Sequence, residues 1–105
     1  MIAPVVLVIG GPEDLFRACA DIARSLEAEA LPVLPERAAQ VAAEYRPFAM
    51  VLLDEIYERE PLEHEALARD VGARIVRVSD KGIPVEALEA LLRGTLIEAL
   101  WRQAE

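Results

Sequence analysis

Two uninterrupted apolar runs constrain the fold of this chain most strongly. Val5–Ile9 reads VVLVI, and residues 48–53 read FAMVLL. Runs of this length without polar alternation are typical of strands that are covered on both faces. Two weaker runs occupy residues 31–34 and 74–78. Pro32 lacks a ladder donor and therefore predicts an edge strand, while the alternation in 74–78 indicates a strand with one wet face or an edge position.

Segments with helical spacing separate these strands. Helices are predicted from Pro12 to about residue 26, from 35 to 46, from 60 to 71 with Leu62 on the inner face, and from 85 to 102. Four alternations of strand and helix indicate a parallel α/β sheet with right-handed crossovers. A chain of 105 residues is expected to form a single domain over residues 1–105.

Composition narrows the classes of partner. The net charge is −8 and the isoelectric point is about 4.6, so the surface repels nucleic acids and anionic lipids. No apolar run reaches the length of a membrane span, and the N-terminus has no basic leader. Cys19 is the only cysteine, which excludes an internal disulfide. We expect a cytoplasmic protein whose partner is a basic or mixed-charge protein; a charge that serves solubility alone is the alternative.

The candidate site residues follow the ends of the predicted strands. In open parallel sheets, ligands bind beyond the carboxyl ends of the strands. Gly10 and Gly11 follow the first strand, and Asp54 follows the third. Ser79 and Lys81 follow the fourth. Two interpretations of Gly10 and Gly11 are open: a phosphate cradle and a tight turn.

Parts of the chain resemble two-component receiver domains. The first strand, residues 46–54 (RPFAMVLLD), residues 76–79 (VRVS) and the start of the last helix carry the resemblance. It implies a flavodoxin-like (CheY-like) three-layer sandwich with a mainly parallel sheet of four strands, a fifth being left open. It also implies that Asp54 is a candidate phosphoacceptor, that Ser79 and Lys81 are switch-like residues, and that Mg²⁺ is a cofactor if Asp54 is phosphorylated.

The chain departs from the receiver pattern at two places. Gly10 and Gly11 stand where receivers carry the acidic pair that holds Mg²⁺. Residues 79–84 alone separate the fourth strand from the last predicted helix, so one helix–strand unit of the receiver pattern is missing. Phosphoryl transfer to a carboxylate needs a divalent cation, and a single carboxylate holds Mg²⁺ poorly. The sequence therefore predicts a degenerate receiver in which Asp54 is not phosphorylated and caps the following loop.

Two segments are candidate interaction surfaces. Residues 54–65 are read as an acidic loop with apolar residues between the charges, a pattern that suits protein docking. The last helix carries more apolar residues than one buried stripe requires. We expect a signalling or scaffold domain, not an enzyme, that binds a protein or self-associates as a homodimer. The candidate surface residues are Glu55, Ile56, Tyr57, Glu58, Leu96, Leu100 and Trp101. Two alternatives are a phosphorylatable receiver with Asp54 as acceptor, and a subunit that binds a small ligand or phosphate at Gly10 and Gly11.

Overall fold

Four strands form one parallel sheet in the computed structural model, which describes residues 3–104. They are β1 (Val5–Ile9), β2 (Glu29–Val33), β3 (Ala49–Leu53) and β4 (Arg74–Val78). The strand order is β2-β1-β3-β4, so the two uninterrupted apolar runs occupy the two central positions. The predicted α/β class with a parallel sheet is confirmed.

Helices cover both faces of the sheet. They are α1 (Glu13–Ser25), α2 (Ala38–Tyr45), α3 (Asp54–Arg59), α4 (Pro61–Val71) and α5 (Val85–Ala104), and a short 3-10 helix (Pro35–Arg37) precedes α2. Successive side chains of β1 point to opposite faces. Val6 and Val8 pack in one core with α1 and α5, and Leu7 and Ile9 pack in a second core with α2 and α4. The result is a three-layer arrangement compatible with a flavodoxin-like fold.

The edge strand β2 carries a proline on its free side. In β2 the Glu29 N–H donates to the Pro4 carbonyl at 2.9 Å, towards β1. Backbone groups alternate in direction along a strand, so Pro32 lies at a position whose N–H would point away from the sheet. Its missing donor therefore removes no ladder bond, and the predicted edge position of this strand is confirmed.

The prediction of an acidic loop after β3 is wrong, because residues 54–59 form α3. The chain breaks at Glu60, and Pro61 then opens α4 as its first residue. Proline favours the first helical turn, while the residue before it is pushed out of the helical region. The start at Pro61 also determines which side of α4 faces the core. Ala68 and Val71 are buried, whereas Leu62, which was predicted to face inward, is 84% exposed.

The last helix follows β4 after a short connection. Residues 79–84 lead directly into α5, so residues 3–104 contain four strands and no fifth. Leu88, Leu92 and Leu96 of α5 are buried against the sheet. None of the helices in this part of the chain combines the length and hydrophobicity needed to cross a membrane.

Candidate functional site

Asp54 lies at the carboxyl end of β3, where it is the first residue of α3. Its Oδ1 atom accepts a hydrogen bond of 2.7 Å from Nε of Arg77. The partner is close because β3 and β4 are paired in parallel with Leu52 beside Arg77. Leu53 is the N-cap of α3, and its side chain makes no capping hydrogen bond. The predicted capping role of Asp54 is therefore wrong, because its carboxylate pairs with the guanidinium of Arg77 on the neighbouring strand.

Arg77 joins α3 to β4 through two carboxylates and a ring. Its Nη2 atom donates to Oε1 of Glu58 at 3.2 Å, and its Cζ atom lies 4.2 Å from the centre of the Tyr57 ring. The hydrogen bond to Asp54 is the main cause that raises the pKa of Arg77, and the negative charges of Asp54 and Glu58 act in the same direction. The guanidinium therefore remains a fixed positive charge beside Asp54.

Tyr57 extends this network to α4. Its hydroxyl donates to Oε2 of Glu65 at 2.6 Å, and its ring stacks on His64 with centroids 6.1 Å apart. The hydrogen bond to Glu65 raises the pKa of the Tyr57 hydroxyl, since it stabilises the protonated form, while nearby Arg77 opposes the shift. The Nε2 atom of His64 lies 3.3 Å from the Ile56 carbonyl oxygen. These contacts hold the two acidic helices together as one surface.

The chemistry available to Asp54 follows from these contacts. The side chains of Asp54 and Arg77 are 36% and 42% exposed, so salt screens their ion pair and water reaches it. Arg77 occupies Oδ1, one of the two oxygens of this carboxylate. The arrangement fixes a short helix to a strand edge, and Asp54 has the geometry of a structural ion pair.

Ser79 and Lys81 lie in the turn between β4 and α5. The Ser79 hydroxyl accepts a hydrogen bond of 3.2 Å from the Lys81 N–H, a local bond that serine commonly makes in turns. The neighbouring Asp80 carboxylate accepts a bond of 3.4 Å from the Glu55 N–H, one of the amides that a helix leaves unpaired in its first turn. The turn is thus tied to the start of α3, at the carboxyl ends of β3 and β4.

Gly10 and Gly11 form a turn that is closely packed. Their φ angles are +65° and +87°, values that favour glycine. A Cβ added at Gly10 would lie 2.7 Å from Cδ1 of Ile56, so α3 packs directly on this turn. The Gly10 N–H donates to the Val33 carbonyl at 2.8 Å and is not free to bind an anion. An open cleft of about 370 Å³, mostly apolar, lies between this turn and residues 32–34.

The candidate surface residues on α3 divide by exposure. Glu55 and Glu58 are exposed, whereas Ile56 and Tyr57 are partly buried and pack against the core. The exposed part of this surface is therefore acidic rather than mixed. Among residues 3–104, no three His, Cys, Asp or Glu side chains converge as a group that could hold a metal ion.

The candidate surface residues on α5 also divide. Leu96 is 8% exposed and belongs to the core, so the structure does not place it on a surface. Leu100 and Trp101 are 52% and 69% exposed. Leu91 and Ile97, which sequence reasoning did not single out, are about as exposed as Leu100. Their spacing from the buried leucines would have indicated this outer position.

The four segments on which the sequence resemblance depends lie in or directly after β1, β3 and β4 and at the start of α5. Residues 5–9 form β1, Asp54 follows β3, residues 76–79 end β4, and residues 85–92 begin α5. Comparison of this chain with protein-family models and with curated proteins gives no match.

Proposed function

We propose that this chain is a degenerate, receiver-like domain of the cytoplasm that acts by binding protein, and that it neither catalyses a reaction nor carries a phosphoryl group on Asp54. The observation that carries the proposal is the exposure of large apolar side chains on α5, with Trp101 69% exposed. Exposed apolar clusters of this kind mark protein contact sites. Tryptophan is also among the residues that contribute most to such contacts.

The ion pair of Asp54 supports the absence of a phosphoryl switch. Arg77 holds the carboxylate at 2.7 Å, and Gly10 and Gly11 occupy the end of β1 where receivers place two Mg²⁺ ligands. Phosphoryl transfer to a carboxylate depends on a divalent cation that neutralises the crowded oxygens. In this proposal, Asp54 serves the packing of α3, and Ser79 and Lys81 serve the turn that follows β4.

The acidic surface of α3 and α4 favours one class of partner. Glu55, Glu58, Glu63 and Glu65 are exposed on these two helices, and the whole chain carries a charge of −8. Such a surface attracts basic or mixed-charge proteins and speeds their association at low salt. It repels nucleic acids and anionic membranes. Protein recognition by this acidic surface and by α5 is the function that the geometry favours.

Titration with beryllium fluoride and Mg²⁺ tests the proposal, because this pair imitates a phosphorylated carboxylate. Amide NMR spectra of the wild-type chain are expected to show no saturable shifts at Asp54, Ser79 or Lys81. Asp54→Asn is the matched control, since it removes the acceptor and keeps the size of the side chain. Saturable shifts in the wild type that disappear in Asp54→Asn would establish Asp54 as a phosphoacceptor and reject the proposal.

A second candidate function rests on a cleft at the same edge of the sheet. The cleft has a volume of about 350 Å³. Its lining is mostly apolar, with Leu15, Leu53 and Leu88, and its polar lining residues are Asp14, Ser79, Asp80 and Lys81. Ligand sites commonly combine an apolar floor with a few polar groups. A thermal-shift screen of nucleotides, inorganic phosphate and small carboxylic acids distinguishes this function: a saturable rise in Tm that Lys81→Met abolishes would favour it.

A further inference from the structure

The outer side of β4 is an open hydrogen-bonding edge. The Arg74 N–H donates to the Phe48 carbonyl at 3.0 Å, towards β3. Because backbone groups alternate in direction along a strand, the N–H and C=O groups of Ile75 and Arg77 point away from the sheet. No strand within residues 3–104 pairs with them. The other edge of the sheet is protected by Pro32, whereas β4 has no proline and offers donors and acceptors to an added strand.

An uncharged stripe of α5 lies beside this edge. Its members recur at intervals of three and four residues and are all exposed: Ala87, Ala90, Leu91, Gly94, Ile97 and Trp101. Glu98, seven residues after Leu91 and so on the same side of the helix, binds Arg74 of β4. Arg102 donates to the carbonyl of Gly72, just before β4. These contacts place the flank of the stripe that carries Leu91 on the β4 side of the molecule.

Gly94 is unexplained by the single chain. It lies in the middle of a 20-residue helix, where glycine is unfavourable. Its φ angle is not positive, and a Cβ added to it would meet nothing within 4 Å. Neither the backbone nor the packing of one copy requires glycine there. Small residues on an exposed helix face permit the close approach of a second helix.

We propose that a second copy of this chain pairs with the first across β4 and the α5 stripe, about a two-fold axis through Val76. This inference rests on the proposed function and names the partner for one of its two surfaces. An antiparallel pair centred on Val76 matches all five residues of β4. Ile75 of each copy then lies opposite Arg77 of the other, so their outward N–H and C=O groups bond together. No two arginines face each other directly.

The position of Gly94 along α5 agrees with a two-fold axis through Val76. Val76 lies two residues beyond Arg74, or about 6.6 Å along β4, which equals about four residues of a helix. Glu98 is the partner of Arg74, and α5 runs antiparallel to β4. The residue of α5 that is level with Val76 therefore lies four residues before Glu98, at residue 94. The contact of Arg102 with Gly72 leads by the same reasoning to about residue 93. The axis therefore passes α5 at its glycine.

The spacing between the two copies of α5 also fits. This helix lies over both β3 and β4, and neighbouring strands are about 4.8 Å apart. A two-fold axis at the β4 edge therefore places the two α5 axes about 10 Å apart, near the usual distance of packed helices. In this antiparallel arrangement Trp101 of each copy lies against Ala87 of the other, a large side chain against a small one.

Area and charge favour a second copy as the occupant. A helix face about 30 Å long and about 10 Å wide, together with the strand edge, buries about 500 Å² on each copy. The total of about 1,000 Å² over both copies reaches the lower limit for a specific interface. The stripe itself is uncharged. Two of the charged side chains nearby are paired within each copy, Arg74 with Glu98 and Arg77 with Asp54 and Glu58. The net charge of −8 therefore opposes contact mainly through charges far from this surface, which salt screens.

Sedimentation equilibrium and the fluorescence of Trp101, the only tryptophan in the chain, test the proposal together. The wild type is expected to dimerise, with a blue shift of the emission as concentration rises. Gly94→Lys fills the contact with a charged side chain but strengthens the helix of the single copy. It is expected to weaken dimerisation at least about a hundredfold without lowering Tm at low concentration. Ala43→Lys places the same charge on the exposed side of α2, across the sheet from α5; it is the control and keeps the dimer.

Hydrogen exchange tests the strand pairing separately. The Ile75 and Arg77 amides are expected to be protected in the wild-type dimer and to exchange rapidly in monomeric Gly94→Lys. A wild type that remains monomeric at high micromolar concentration would overturn the proposal, as would a dimer that Gly94→Lys leaves intact or one with unprotected amides. Beryllium fluoride titration of Gly94→Lys examines Asp54 in the monomer, so the proposed function and this inference can fail independently.

Discussion

Replacing Leu92 with alanine tests which side of α5 belongs to the core, on which both surface proposals depend. Leu92 is fully buried between α5 and the sheet, so Leu92→Ala removes buried methyl and methylene groups and leaves a cavity. The transfer term is about 2–3 kcal/mol, and with the cavity term the loss in the free energy of unfolding is about 3 kcal/mol. For a chain of this size, that loss lowers Tm by roughly 12–24 °C.

Leu91→Ala is the matched control because the two leucines are neighbours on one helix. Leu91 is 47% exposed, and its replacement changes helix propensity by the same amount. We expect a loss below about 1 kcal/mol in the single chain, typical of a surface change. Urea unfolding followed by circular dichroism, at a concentration where Gly94→Lys and wild type are both monomeric, measures both losses. Equal losses, or a larger loss for Leu91→Ala, would refute the assignment of the two faces of α5.

Two further predictions follow from the turn after β1 and from the core. Gly10→Ala forces a Cβ to within 2.7 Å of Cδ1 of Ile56 at a φ angle of +65°, so we expect the free energy of unfolding in urea to fall by about 1–3 kcal/mol. Ile56→Val removes that methyl group and should recover part of this loss. Additive effects of the two changes would contradict the packing. Burial raises the pKa of the Cys19 thiol from 9.0 to about 11, so the folded chain retains a proton that the unfolded chain releases. Stability should therefore fall as the pH rises between these two values, with a shallower fall in Cys19→Ala; equal slopes would show that Cys19 does not cause it.

The strands were predictable from sequence because their patterns have few alternative interpretations. The runs that became β1 and β3 are too apolar for any exposed position, so they had to occupy the centre of the sheet. Pro32 could be placed only where a missing N–H removes no ladder bond. These predictions depend on local chemistry alone, which a sequence contains.

The network around Asp54 was not predictable because it depends on register and on contacts between distant segments. The pairing of Leu52 with Arg77 decides that Arg77 reaches Asp54, and no local pattern specifies that register. The six residues of α3 are too few to show helical spacing or to form a stable helix alone. Ile56 against the Gly10 turn and Arg77 against Asp54 hold this helix in place, and both contacts come from other parts of the chain.

The open edge of β4 and the uncovered stripe of α5 have one common cause. Residues 79–84 lead straight from β4 into α5, with no room for a further helix and strand. A fifth strand would pair with Ile75 and Arg77, and its neighbouring helix positions would cover the flank of α5 that carries Gly94. Because one missing unit leaves both surfaces exposed, one partner can cover both. The β4 strand of a second copy supplies the missing hydrogen bonds, and the α5 helix of that copy supplies the missing apolar cover, so each chain completes the sheet of the other.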